Sequence, residues 1–247
     1  MSVVNTDFVA QARRLVTERF PEALAVVLAG SAASGRATAS SDLDLAVLVA
    51  DGETYRETVR FEGRTAELFV HTREGLVELL AADLAGRRGV MQSMYATGLP
   101  LFDPHGHAAA ARARAVAELA AGPAPFTAEV VQARRYGLTD LLADLVDATD
   151  RVEALAIGAD VLALAADLLC DHRRAWTGSG KWFPRRLLAA DAELGGALLA
   201  GHLTLCGAGD PAPLAAAAAA VLDLVGGPLS AGYRRVWHGV LVSTAAR

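Results

Sequence analysis

Gly30-Ser31-Ala32-Ala33-Ser34-Gly35-Arg36-Ala37-Thr38-Ala39-Ser40-Ser41-Asp42-Leu43-Asp44-Leu45 is the stretch that decides the fold. It is entered from Leu24-Ala25-Val26-Val27-Leu28-Ala29, a short unbroken apolar run that reads as a buried strand ended by Gly30. It leaves through Leu43 to Val49, where Leu43, Leu45, Val47 and Val49 share one face of a strand. Asp42, Asp44, Ala46 and Leu48 share the other, because side chains alternate along a strand. The two aspartates therefore project together from one strand end into one small volume. Two like charges there repel, and a divalent cation between them turns the arrangement favourable. Hard carboxylate oxygens suit Mg²⁺, an ion that also binds substrate phosphates. The glycine lets backbone approach a phosphate, and the Ser31 hydroxyl and nearby amides are donors for its oxygens.

Working outward, Thr6 to Phe20 repeats apolar residues at helical spacing, and Pro21 stops the helix. Tyr55–Glu62 and Thr65–His71 flank Glu62-Gly63-Arg64, the pattern of a hairpin whose glycine supplies a positive φ. Helical segments are expected from about Glu74 to Ala96, a short strand around Leu99–Phe102, and an alanine-rich helix near Ala108–Ala121. Gly122-Pro123-Ala124-Pro125 interrupts any continuous helix. Beyond it the periodicity is helical throughout, with helices expected at about Thr127–Asp147, Arg151–Trp176, Pro184–Ala190, Gly195–Cys206, Pro213–Val225 and Ser230–Thr244. The expected class is α+β: a sheet with flanking helices in residues 1–121, followed by an all-α helical bundle in residues 127–247.

The composition narrows the function classes. Of 247 residues, 53% are hydrophobic and 21% charged, so the chain has ample apolar surface to bury. The formal net charge of −5 provides no global basic excess for counterion release, and no nucleic-acid partner is expected. The two cysteines, Cys170 and Cys206, lie far apart outside any CxxC pair, which suits a reduced cytoplasm. The opening residues carry Asp7 and no basic n-region, so a signal peptide is not expected. The alanine-rich stretch Pro211–Val225 is interrupted by Asp223 and falls short of a membrane span, so no membrane partner is expected.

A strand, Gly-Ser, a gap of ten residues (Ala32 to Ser41) and Asp42-Leu43-Asp44-Leu45 together resemble the signature of the nucleotidyltransferase superfamily related to DNA polymerase β. That resemblance implies a mixed sheet in the N-terminal domain and a third carboxylate on a neighbouring strand. Glu67 is the only acid in the strand Arg64–His71 and so the natural candidate. The whole chain looks like the antibiotic nucleotidyltransferases that adenylylate aminoglycosides. The implied activity moves a nucleoside monophosphate, AMP from ATP or another from its triphosphate, to a hydroxyl of a small-molecule acceptor and releases pyrophosphate. Two Mg²⁺ ions would be held by Asp42, Asp44 and Glu67, with Glu67 as metal ligand or as general base. Gly30, Ser31, Ser41 and Lys181 would contact the nucleotide. Lys181, the chain's only lysine, lies in Trp176-Thr177-Gly178-Ser179-Gly180-Lys181-Trp182-Phe183-Pro184-Arg185-Arg186, and its flexible ammonium suits β- and γ-phosphates.

Competing readings are weaker. Gly30 to Ala37 imitates a P-loop, but Arg36 takes the lysine position and Ala37 the Ser/Thr position. His105-Gly106-His107 has no third ligand nearby and reads as exposed loop, whereas His71 is divided between lining the cleft and a hydrogen-bonded structural role. Arg134-Arg135-Tyr136 and Tyr233-Arg234-Arg235 read as solvated helix faces, as do Asp140, Asp144 and Asp147, whose spacing would also meet a cationic acceptor. Two other functions stay open: an antitoxin-like enzyme that modifies a protein, and a nucleotide-binding regulator without turnover. A fused helical domain argues against the first and three intact carboxylates against the second.

Overall fold

The computed structural model describes residues 6–235. The chain divides into two compact units, Met1–Ala124 and Pro125–Arg247, and the break falls inside the proline-containing linker.

The first unit is built on a five-stranded mixed sheet. Its strands are β1 (Ala25–Ala29), β2 (Leu43–Leu48), β3 (Tyr55–Phe61), β4 (Arg64–His71) and β5 (Leu99–Phe102), in the order β3-β4-β2-β1-β5. β2 and β4 run parallel, and every other neighbouring pair is antiparallel. The central strands β1 and β2 are almost wholly buried, which explains their apolar composition. One face, with Val26, Leu28, Leu43, Leu45 and Leu68, packs on α1 (Thr6–Arg19) through Phe8, Ala12 and Leu15. The other, with Ala25, Val27, Ala46 and Leu48, packs on α3 (Arg73–Ala85), α4 (Val90–Thr97) and α5 (His107–Ala121). A single turn of helix, α2 (Gly30–Ala33), follows β1 directly.

The hairpin β3–β4 closes on Glu62 and Gly63, both at positive φ (46° and 80°), as a two-residue type I′ turn requires. The helical stretch from Glu74 to Ala96 is two helices. The chain breaks at residues 86–89, where Arg87 (φ 57°) and Gly89 (φ 59°) both turn left-handed.

The second unit is all helical: α6 (Ala128–Asp147), α7 (Arg151–His172), α8 (Trp182–Ala190), α9 (Ala192–Ala208) and α10 (Ala212–Leu224). Leu138, Leu145, Leu168, Leu169, Leu198 and Leu214 form the centre of its core. Small residues bring the helices close. A Cβ on Gly201 of α9 would stand 2.6 Å from the backbone of Leu214 on α10, and one on Gly158 of α7 would stand 2.2 Å from Leu205 Cδ2. The expected helix Arg151–Trp176 stops at His172, because Arg174 turns left-handed (φ 54°) and the Ala175 amide bonds back to the Cys170 carbonyl.

The expected helix Ser230–Thr244 is not found over residues 230–235; the remainder lies outside the described residues. Gly226 and Gly227 at positive φ and then Pro228 end α10, and the following segment is tied to α6 instead. Arg135 Nε donates to the Gly227 carbonyl, the Leu229 amide donates to Thr139 Oγ1, and the Tyr136 and Tyr233 rings stack at 4.3 Å. Among the described residues, no helix is long and apolar enough to cross a membrane.

Candidate active site

Three carboxylates meet at one end of the sheet. Asp42 precedes β2, Asp44 is its second residue, and Glu67 lies in the middle of β4. The parallel register pairs Asp44 with Glu67 directly. Both lie on the face that packs against α3, α4 and α5, and Asp42 shares it two residues before Asp44. One oxygen from each of the three lies within 4.8 Å of the others, and all three side chains are partly exposed. Among the described residues this is the one group of three or more His, Cys, Asp or Glu placed to hold a metal.

The chain before Asp44 shapes itself around that carboxylate. Ala29 pairs with Asp44 across β1 and β2, and the next residue, Gly30, turns to φ 66°. A Cβ on Gly30 would fall 1.9 Å from Asp44 Oδ2, so glycine is required both for the turn and for the approach. The loop that follows is closed by its own polar side chains. Ser34 Oγ donates to the Gly30 carbonyl at 3.0 Å, and Ser41 Oγ accepts from the Thr38 amide at 2.8 Å. Arg64 then fixes the loop from the side. Its Nη1 donates to the Ser41 carbonyl at 2.9 Å, its Nε donates to Gln11 Oε1 at 2.9 Å, and its guanidinium stacks on Phe8 at 3.8 Å. Gln11 is buried and also donates to the Phe61 and Glu62 carbonyls, so α1, the hairpin turn and the loop leading to Asp42 form one network.

Glu67 has a partner that the sequence reading missed. Arg56 Nη2 of β3 donates to Glu67 Oε2 at 2.6 Å, and its guanidinium lies 5.0 Å from the Phe69 ring centroid. The signal was present in the hairpin register. A two-residue turn at Glu62-Gly63 sets Thr58 opposite Glu67 and Arg56 opposite Phe69, which makes Arg56 and Glu67 diagonal neighbours on one face.

The other candidates separate. His71 lies four residues beyond Glu67 but is fully buried, with Nε2 at 2.6 Å from Tyr95 Oη and Nδ1 at 2.9 Å from the Phe69 carbonyl. Nδ1–H donates to that carbonyl, so Nε2 accepts from the Tyr95 hydroxyl. Burial pushes the imidazole down to about 4 and the Tyr95 phenol upward. His71 is thus a neutral tie between β4 and α4, away from solvent. His107 at the start of α5 contacts Arg73 and joins no metal group. Ser31 lies on α2 beside Gly30, and the Ser41 hydroxyl is engaged within its loop. Lys181 is exposed at the N-cap of α8 in the second unit. Asp140, Asp144 and Asp147 are solvated along α6.

With this geometry in place, residues 14–103 match the family model described as Polymerase beta, Nucleotidyltransferase. The match falls within the first unit and supports a nucleotidyltransferase domain there. Among solved structures, the chain is similar to a nucleotidyltransferase-like protein from Exiguobacterium sibiricum 255-15, at 12% identity and a TM-score of 0.47 over 88% of this chain and 74% of that one. No curated protein matches the chain.

Proposed function

We propose that the protein is an Mg²⁺-dependent enzyme that transfers a nucleoside monophosphate, AMP from ATP, to a hydroxyl of a small molecule and releases pyrophosphate. The observation that carries this reading is the set of three carboxylate oxygens within 4.8 Å, from Asp42 just before β2, Asp44 on β2 and Glu67 on the neighbouring β4, in a region that matches a nucleotidyltransferase family model. The donor set fits a hard divalent cation. It consists only of carboxylates, partly open to solvent, and their mutual repulsion favours a cation among them. Asp42, Asp44 and Glu67 would hold the metal, which when bound polarises the phosphate and activates the acceptor hydroxyl.

The protein's own groups do the rest. Gly30 lets the carboxylate of Asp44 lie against the backbone, and the Ser31 hydroxyl and the amides after Gly30 are donors for phosphate oxygens. The Arg64–Gln11 network keeps Asp42 in place by holding the Ser41 carbonyl. The Lys181 ammonium has the chemistry to meet phosphate oxygens.

The second unit is assigned acceptor choice. It contains a cavity of about 520 Å³ lined by Leu141, Leu164, Phe183, Gly178, Asp160 and Asp167. Apolar walls with the Asp160 carboxylate suit an organic amine, as in aminoglycoside-like acceptors. Asp167 is paired with Arg134 at 3.1 Å.

The test is pyrophosphate release from each of the four triphosphates with Mg²⁺ against pools of aminoglycosides and cell metabolites. Release that needs one pool and disappears in Asp42→Ala/Asp44→Ala supports the reading. Triphosphate binding without release from any pool overturns the small-molecule acceptor, and absence of binding overturns the carboxylate site.

A further inference from the structure

We propose that Arg56 is a built-in competitor for the divalent cation: it holds Glu67 in an ion pair that must open before the third carboxylate can join the metal site. The inference rests on the reading of Asp42, Asp44 and Glu67 as metal ligands given above.

Three observations converge on it. First, the contact is direct, with Arg56 Nη2 at 2.6 Å from Glu67 Oε2. Second, its position is fixed by backbone pairing and by the apolar rest that Phe69 gives the guanidinium. Third, the two partners are unequally held. The Arg56 side chain is 60% exposed and that of Glu67 only 24%, so the guanidinium can swing into solvent while the carboxylate stays beside Asp44. Other ion pairs of this hairpin, Arg14–Glu62 and Arg19–Glu57, tie it to α1 and involve none of the three clustered acids. Of these three hairpin pairs, that of Arg56 is the one whose acid belongs to the cluster.

The chemistry of the pair determines how it can be opened. A guanidinium keeps its charge throughout the working pH range, so loss of its own proton cannot release Glu67. Competition by another cation can. A metal arriving alone must displace the guanidinium and then sit near it, whereas a metal arriving with a triphosphate brings anionic oxygens that the displaced guanidinium can meet. Arg56 thereby biases the site toward joint loading of metal and nucleotide over metal alone.

The experiment is titration with Mn²⁺ alone, with no nucleotide, reading the free ion by electron paramagnetic resonance. Wild type, Arg56→Gln and Asp44→Asn are compared at low ionic strength. Arg56→Gln is expected to bind Mn²⁺ about two- to five-fold more tightly than wild type, the scale of a partly exposed ion pair. The gain should shrink in high salt. Binding by Arg56→Gln that equals or falls below wild type overturns the proposal. Arg56→Met, which keeps an apolar stem over Phe69, provides a second uncharged variant should the first fold poorly. Asp44→Asn separates the two levels of inference. If it binds Mn²⁺ as wild type does, the metal reading itself fails. If it loses Mn²⁺ while Arg56→Gln is unchanged, only the role of Arg56 fails.

Discussion

The Asp44 carboxylate occupies the space that a side chain on Gly30 would need, with Oδ2 1.9 Å from the position of the missing Cβ. A turn and a functional acid are thus packed against each other one strand apart. Gly30→Ala must push Asp44 aside and also place alanine at φ 66°, a backbone penalty of about 1 kcal/mol. We expect the variant to fold with a modestly lowered Tm and to lose about 10²-fold in kcat, since a displacement near 1 Å at a reacting group has that scale. Pyrophosphate release alongside a thermal melt checks both parts.

Neutralising the clustered acids should separate stability from function. Without metal, Asp44→Asn removes like-charge repulsion within a 4.8 Å group, so its Tm should stay close to that of wild type. Added Mg²⁺ should raise the Tm of wild type, by an amount equivalent to about 2.7 kcal/mol at a hundred times Kd, and leave Asp44→Asn unmoved. Equal shifts in both proteins would place the ion elsewhere.

The buried His71–Tyr95 pair predicts a pH dependence of stability. The folded imidazole is pushed down to about 4, whereas in the unfolded chain it titrates near 6.5. Between those values the unfolded chain binds a proton that the folded one refuses. Stability from this group is therefore complete above about pH 6.5 and falls as the pH drops toward 4. From pH 7 to pH 5 the loss should be about 2 kcal/mol. Urea midpoints at the two pH values measure it, and His71→Gln, although weaker at pH 7, should lose that part of the slope.

In the helical unit, Gly201 and Gly158 should respond differently to alanine. A Cβ at Gly201 meets the backbone of Leu214, which has nowhere to go, so Gly201→Ala should cost about 2–3 kcal/mol. At Gly158 the obstacle is the tip of the Leu205 side chain, which can change rotamer, and the cost should be nearer 1 kcal/mol. Denaturant unfolding of the two variants decides the order.

What was legible in the sequence follows the range of the interactions. Strands β1 and β2 and the hairpin were readable because alternation and turn chemistry are local, and Glu67 because it is the sole acid on its strand. Arg56 needed the register as well as the strands. The partner of His71, Tyr95, lies on another element and left no pattern. The helix end at Arg174 was overrun because the left-handed residue there is arginine, without the glycine that usually marks such a stop. In the second unit, Asp160 and Asp167 line an open pocket while Asp140, Asp144 and Asp147 do not, although both sets recur at helical spacing. Only packing tells them apart.

The parallel pairing of β2 with β4 has a consequence for the folding chain. If β4 slipped by one residue against β2, Glu67 would turn to the α1 face, among Leu43, Leu45 and Phe8 and away from solvent, and Arg56 on the same hairpin would turn with it. Taking both charges out of water there would cost several kcal/mol. The acid assigned to the chemistry therefore also acts as a proofreader of strand alignment, making the wrong sheet expensive as well as inactive.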